Sequence, residues 1–199
     1  MPPQLYLITP VAADPETFPA TLMAVLSKAE FSALLVRRGG LDDASYARLA
    51  TALINVGQGA GCAVLLEDDA ALAKRLGADG LHVTGGPKAV KDAVAALKPD
   101  LIVGVGNVGS RHDAMTAGEM DVDYLMFGPL DGESDPAAID LTEWWASTFE
   151  IPAVLSDPQA GADADSRGAE FLALSTSVWS SPSPAAAVAA IVSALGESA

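Results

Sequence analysis

Residues 62–83, CAVLLEDDAALAKRLGADGLHV, contain a complete strand–helix–strand unit. Cys62–Leu66 is a short apolar run, which is typical of a buried strand because it is too short for a helix. Ala70–Leu76 carries apolar residues at helical spacing and is followed by Gly77, a residue type that ends many helices. Leu81–Val83 is a second apolar run. Two strands joined by one helix and tight turns predict a parallel crossover unit.

The same alternation continues along the rest of the chain. The predicted strands are Gln4–Thr9, Phe31–Val36, Cys62–Leu66, Leu81–Val83, Leu101–Val105, Asp123–Phe127, Pro152–Leu155 and Phe171–Leu174. A weak helix is expected before Gly168, and an Ala/Val-rich helix closes the chain at Pro184–Leu195. An acidic residue stands just before or at the start of each even-numbered strand at similar intervals, namely Glu30, Asp79, Asp123 and Glu170.

This repetition predicts an α/β fold, a (β/α)₈ TIM barrel in which a parallel eight-stranded barrel is surrounded by helices. Residues 1–199 are long enough for one domain, and we expect a single TIM-barrel domain. A doubly wound open sheet is the alternative, because its strands and helices alternate in the same way.

Composition narrows the classes of function. Eleven basic and 26 acidic residues give a net charge of −15, which argues against binding to nucleic acid or to an anionic membrane. No segment is apolar enough to span a bilayer and no secretion signal is evident, so a cytoplasmic location is expected. The single cysteine, Cys62, excludes an intrachain disulfide. His82 is expected to be a hydrogen-bonded histidine inside the barrel, and His112 an exposed one.

In a barrel of this kind, reactive residues lie at the C-terminal ends of the strands. Arg37 is suited to pair with an anion there, whereas Arg38 fits a solvated charge better. Ser175, Thr176 and Ser177 form either a phosphate-binding loop of hydroxyl and N–H groups or an ordinary serine-rich loop. Asp68, with Glu67 before it, either holds Mg²⁺ through carboxylate oxygens or caps the next helix.

A glycine motif follows the fifth strand. Gly104, Gly106 and Gly109 match the dinucleotide fingerprint G-x-G-x-x-G, which by itself predicts NAD binding. Because the motif lies in the fifth unit rather than the first, a tight turn and a substrate or phosphate contact by exposed N–H groups remain as alternatives. We therefore place Gly106 and Asn107, together with Gly128 after the sixth strand, among the candidate substrate-binding or phosphate-binding residues.

Five segments carry a resemblance to a known family: LYLITP, LLVRRGG, LLEDDAALAKRLGADGLHV, LIVGVGNVGS and DYLMFGPL. With these segments the chain resembles, over nearly its whole length, the thiamine-phosphate synthase/TenI family of (β/α)₈ barrels. The resemblance implies a transferase of thiamine biosynthesis that joins a pyrimidine diphosphate to a thiazole phosphate with Mg²⁺ and releases diphosphate. It also implies that Arg37 is the catalytic cation at the diphosphate and that Asp68 is a Mg²⁺ ligand.

Several positions depart from the family pattern. The glutamine and lysine that flank the arginine are Leu35 and Gly39, and no aspartate follows the fourth strand at Thr84–Pro87. The lysine-bearing loop after the sixth strand becomes Asp131–Asp135, which contains three acids and no base. Because negative charge builds up on the departing diphosphate, these changes predict weak or altered activity.

Two other functions stay open. One is a non-catalytic barrel of the same family that binds a phosphorylated metabolite or regulates its use, and the other is an NAD-binding protein. The expected partner is a small molecule for all three functions. For the transferase and for the non-catalytic barrel, it is a small phosphorylated metabolite. The formation of a homo-oligomer is left open by the sequence.

Overall fold

The computed structural model describes residues 2–197. Eight parallel strands pair in chain order, and β1 also pairs with β8, which closes the sheet into a barrel. The strands are β1 (Gln4–Ile8), β2 (Phe31–Val36), β3 (Ala63–Glu67), β4 (Gly80–Val83), β5 (Ile102–Val105), β6 (Tyr124–Phe127), β7 (Ala153–Ser156) and β8 (Phe171–Leu174). The helices are α1 (Phe18–Leu26), α2 (Asp43–Gly59), α3 (Ala70–Leu76), α4 (Pro87–Leu97), α5 (Arg111–Gly118), α6 (Pro136–Thr148), α7 (Thr176–Trp179) and α8 (Pro184–Glu197).

This closed barrel confirms the predicted (β/α)₈ TIM barrel and rules out the open doubly wound sheet. Within residues 2–197, no helix has the length and apolar character needed to cross a membrane.

The segment between β7 and β8 differs from the prediction. The prediction of a weak helix before Gly168 is wrong, because residues 157–170 form turns and irregular structure. That segment contains three Asp, two Gly and one Pro, whose side chains and backbone preferences favour turns over helix. Two helices, α7 and α8, follow β8 instead and close the ring of helices.

The strands are buried on both faces, which explains why they are nearly continuous apolar runs. One core lies between the strands and the outer helices. A second core fills the barrel interior and consists of side chains that point inward from the strands: Tyr6, Ile8, Ala33, Leu35, Leu65, Tyr124, Met126, Val154 and Ala173. The interior is therefore packed, and ligands can reach the chemistry only at its ends.

The acids that precede the even-numbered strands have a structural role at the N-terminal face. Asp79 accepts a hydrogen bond from the N–H of Val64 at 2.7 Å, at the start of β3. Asp123 accepts in the same way from the Val103 N–H of β5, and Glu170 from the Ala153 N–H of β7, each at 2.7 Å. Asp79, Asp123 and Glu170 thus each accept from an amide near the start of an odd-numbered strand, which gives this part of the sequence repetition a physical cause.

Helix starts lie at the opposite, C-terminal face, and four of them, α2, α3, α5 and α6, are fixed by side-chain caps. Asp42, Ser110 and Asp135 accept hydrogen bonds from N–H groups in the first turns of α2, α5 and α6. In the acidic run after β3, only Asp69 caps α3, by accepting from the Leu72 N–H at 2.8 Å. Glu67 is the last residue of β3 and Asp68 has a positive φ of 52°, so neither one caps the helix.

Candidate active site

The barrel brings the predicted site residues to one mouth. Because all eight strands are parallel, their C-terminal ends lie on the same face. The residues at these ends include Arg37 and Arg38 after β2, Glu67 and Asp68 at β3, Thr84 after β4, Asn107 after β5, Gly128 after β6, Ser156 and Asp157 at β7, and Ser175–Ser177 after β8.

Arg37 is held between two carboxylates. Its Nε lies 3.2 and 3.1 Å from the two carboxylate oxygens of Glu67, on the neighbouring strand. Its Nη1 lies 3.2 Å from Oδ2 of Asp131, in the loop after β6. The side chains of Arg37 and Glu67 are each 14% exposed, whereas that of Asp131 is 58% exposed. The guanidinium is therefore oriented by the largely buried Glu67 and forms a second ion pair with the exposed Asp131.

Arg38 lies at the exposed rim of the mouth, where it is paired with an exposed carboxylate. Its Nη2 pairs with Oδ1 of Asp43, and its guanidinium lies 5.5 Å from the centre of the Tyr46 ring. Its backbone N–H donates to the Glu67 carboxylate at 2.8 Å. Glu67 therefore ties the end of β3 to both arginines after β2.

Asp68, the predicted metal ligand, faces Thr84 after β4. One carboxylate oxygen accepts from the Thr84 N–H at 2.7 Å, and the other accepts from the Thr84 hydroxyl. Glu67 is engaged by Arg37, and within residues 2–197 no three His, Cys, Asp or Glu side chains are grouped to hold a metal ion. The donor set does not fit a Mg²⁺ cage built by protein side chains alone.

The loop after β8 contains two buried hydroxyls without partners. Ser175 is 2% exposed, and among the described residues neither its Oγ nor that of Ser177 has a hydrogen-bond partner. The Thr176 hydroxyl is occupied, since its oxygen accepts from the Gly132 N–H at 2.9 Å. A buried hydroxyl that lacks a partner costs free energy, so Ser175 and Ser177 are suited to accept or donate a hydrogen bond to a ligand.

The glycines of the β5 motif are explained by packing inside the barrel. A Cβ on Gly104 would overlap the ring of Tyr124, and one on Gly106 would overlap the ring of His82. Nothing lies within 4 Å of a Cβ built on Gly109. The closed barrel also lacks the Rossmann fold in which this fingerprint binds a dinucleotide. The motif thus makes room for two interior rings.

The expectation of a free amide does not hold at Gly106, because its N–H donates to the Val83 carbonyl at 2.9 Å. Asn107 is exposed, with a φ of 56°, and shares a pocket of about 310 Å³ with Gly128. Gly128 has a φ of 102°, and a Cβ there would overlap the carbonyl of Ser156. Close approach of the chain to β7 therefore requires glycine at position 128.

A chain of buried polar side chains runs through the barrel interior. The hydroxyls of Tyr6 and Tyr124 lie 2.8 Å apart, and the Tyr124 hydroxyl lies 2.8 Å from Nδ1 of His82. Burial lowers the pKa of His82 to about 4, so its ring is neutral at pH 7. His82 lies inside the barrel as predicted, but its Nε2 has no partner within residues 2–197.

Sequence reasoning missed two contacts of the mouth: Asp131 with Arg37, and Thr84 with Asp68. Both cross between loops that are distant along the chain, so no local spacing indicates them. The only available signal was charge complementarity between the basic residues after β2 and the acidic run after β6.

Known proteins are similar to this chain in sequence over most of its length. The family model described as Thiamine monophosphate synthase matches residues 5–177. Thiamine-phosphate synthase of Hyphomonas neptunium is 37% identical, over 94% of this chain and 91% of the relative. Thiamine-phosphate synthase of Rhodospirillum centenum is 36% identical, over 94% of both chains.

Among solved structures, thiamine phosphate pyrophosphorylase from Pyrococcus furiosus superimposes with a TM-score of 0.82, covering 98% of this chain and 96% of that one. Its sequence identity is 18%, so this similarity concerns the fold. The family match and the sequence relatives extend over almost all of the chain. They establish that the chain belongs to the thiamine monophosphate synthase (TMP-TENI) family.

Proposed function

We propose that the chain is a thiamine-phosphate synthase-like transferase, weak or altered in activity, that joins a pyrimidine diphosphate to a thiazole phosphate. The observation that carries the proposal is the makeup of the mouth. Arg37 stands on one side, and the buried, unpartnered hydroxyls of Ser175 and Ser177 stand at the end of β8. The relatives named thiamine-phosphate synthase supply the substrate class.

In this proposal, Arg37 acts on the departing diphosphate. Its guanidinium is held in place by Glu67 and stabilises negative charge as the bond to the pyrimidine carbon breaks. Ser175 and Ser177 bind a substrate phosphate through their hydroxyls, and the pocket beside Asn107 and Gly128 holds part of a substrate. Activity is weak because Arg37 is already neutralised by two carboxylates and the loop after β6 adds no cation.

Mg²⁺ remains part of the proposal only as an ion that enters with the diphosphate. Mg²⁺ is commonly bound by one or two carboxylates together with substrate phosphates. Asp68 is the one candidate carboxylate, and its oxygens already accept from Thr84. We expect Mg²⁺ alone to leave the melting temperature unchanged, since binding to the native state is what raises it.

The test is direct assay of thiamine phosphate formation from both phosphorylated precursors, with and without Mg²⁺. We expect product above a blank without protein, and Arg37→Gln should lower kcat/KM by roughly tenfold or more, because a charged hydrogen bond to the leaving group is lost. Arg75→Gln, at an exposed position in the last turn of α3 and therefore at the opposite end of the barrel, is the matched control and should leave kcat/KM unchanged. Absence of product from the wild-type protein would reject the proposed activity.

A second candidate is a non-catalytic barrel that binds a phosphorylated metabolite. The pairing of Arg37, Arg38 and Asp68 with other side chains favours it, since these groups would have to exchange partners during catalysis. Stabilisation by phosphorylated metabolites in a thermal-shift assay, without turnover, is the result expected of this candidate. Turnover of both precursors would exclude it.

A further inference from the structure

The contact between Arg37 and Asp131 spans the mouth of the barrel. Arg37 follows β2, and Asp131 lies 94 positions later in the loop after β6. In the closed strand order, β2 and β6 are separated by three strands on either side, so the two residues come from opposite walls. The 3.2 Å ion pair therefore reaches across the opening through which a ligand must enter.

The loop that carries Asp131 is anchored on its far side. The N–H of Gly132 donates to the Thr176 hydroxyl at 2.9 Å, and the Gly132 carbonyl accepts from the Gln159 side chain at 2.6 Å. Asp131 is thus tethered between the loops after β7 and β8 and the arginine after β2. A carboxylate held in this way acts at a high effective concentration near the guanidinium.

Asp131 also takes the position on Arg37 that an anion would need. Glu67 engages Nε on the partly buried side, and the Asp131 carboxylate is at Nη1 and is 58% exposed. Arg38, the other basic residue at the described strand ends, is paired with Asp43. A phosphate or diphosphate that binds at Arg37 must therefore displace a carboxylate or accept its repulsion.

We propose that Asp131 is an intramolecular competitor that sets how tightly the mouth binds phosphate-type anions at Arg37. The inference rests on the proposed function in one respect, since it takes the ligand to be phosphorylated. It goes further by assigning a specificity role to a residue of the loop after β6. Because the pair is partly exposed, its strength is modest and a ligand can exchange with it.

The test measures binding of inorganic pyrophosphate by calorimetry, without any substrate. Asp131→Asn is expected to bind pyrophosphate about three-fold more tightly than the wild type, or better, since competition and repulsion are both removed. Glu133→Gln is the matched control, because it removes the same charge from an exposed position in the same loop. The gain should shrink as salt is raised, and it should vanish when Arg37→Gln is combined with Asp131→Asn.

Equal affinities for Asp131→Asn and Glu133→Gln would overturn the inference, since only general loop charge would then matter. Weaker binding by Asp131→Asn would overturn it as well, because Asp131 would then be orienting Arg37 for the anion. Failure of every variant to bind pyrophosphate would also count against it. A gain in affinity together with absent thiamine phosphate formation would reject the proposed activity and leave the competitor role standing.

Discussion

At the scale of single residues, the glycines of β5 show how one pattern serves two different structures. The spacing of Gly104, Gly106 and Gly109 matches a phosphate-binding fingerprint, yet the first two glycines face rings inside the barrel. Gly104 leaves space for Tyr124, and Gly106 leaves space for His82. These two glycines are thus needed where an aromatic ring from a neighbouring strand packs against β5 inside the barrel.

This role predicts an unequal effect of alanine substitution within the motif. Gly104→Ala should lower the free energy of unfolding by about 1–3 kcal/mol, because the added methyl group overlaps the Tyr124 ring in a packed interior. Gly109→Ala, where nothing lies within 4 Å, is the control and should be nearly neutral. Urea unfolding measures both, and equal destabilisation by the two changes would contradict the packing explanation.

At the scale of elements, the N-terminal face is held together by acids that reach from one strand start to another. Asp79 precedes β4 and accepts from the Val64 N–H of β3, and it also accepts from the Gln58 side chain at 3.1 Å. Asp123 pairs in addition with Lys98 at 2.7 Å. These contacts connect strand starts at the end of the barrel away from the candidate active site, so they contribute to stability and not to chemistry.

Removing one of these acids should therefore reduce stability without touching the mouth. Asp79→Ala is expected to lower the free energy of unfolding by about 1–3 kcal/mol, because the Val64 amide loses a charged acceptor in a partly buried site. Asp100→Ala, at an exposed position of the same face, is the comparison variant. Chemical denaturation of both variants decides the point, and a loss no larger than that of Asp100→Ala would contradict it.

At the scale of the whole molecule, the barrel interior couples a buried histidine to global stability. His82 is 0% exposed, and its lowered pKa of about 4 means that the folded protein resists protonating it. The unfolded chain binds that proton near the ordinary value of 6.5. Since the unfolded state then binds more protons than the folded one, stability falls as the pH drops from about 6.5 to about 4.

We expect His82 to account for about 3 kcal/mol of stability lost across that interval. His82→Phe should remove this part of the pH dependence, so that the stability difference between wild type and variant changes in favour of the variant as the pH falls. His112→Gln, at an exposed position of α5, is the comparison variant. Denaturation at a series of pH values provides the measurement, and parallel curves for wild type and His82→Phe would refute the assignment.

Much of the fold was predictable because it depends on local chemistry repeated along the chain. Ala70–Leu76 was predicted with the observed bounds, since its apolar spacing lies within the segment and its caps, Asp69 and Gly77, lie directly beside it. The segment before Gly168 was not, because weak helical spacing there competes with turn-forming residues. The placement of the candidate site at the strand ends also followed from the barrel topology.

The sequence by itself determined the alternation of strands and helices, the resemblance to the family, and which residue types stand at the strand ends, whereas closure of the sheet into a barrel was settled by the structure. Only the tertiary structure decided which of these residues pair: Arg37 with Glu67 and Asp131, Asp68 with Thr84, and His82 with Tyr124. The physical reason is the separation along the chain of the residues that interact. Strands and helices arise from hydrogen bonds and burial patterns among near neighbours, whereas charge pairing in the mouth depends on distances between loops that only the closed barrel brings together.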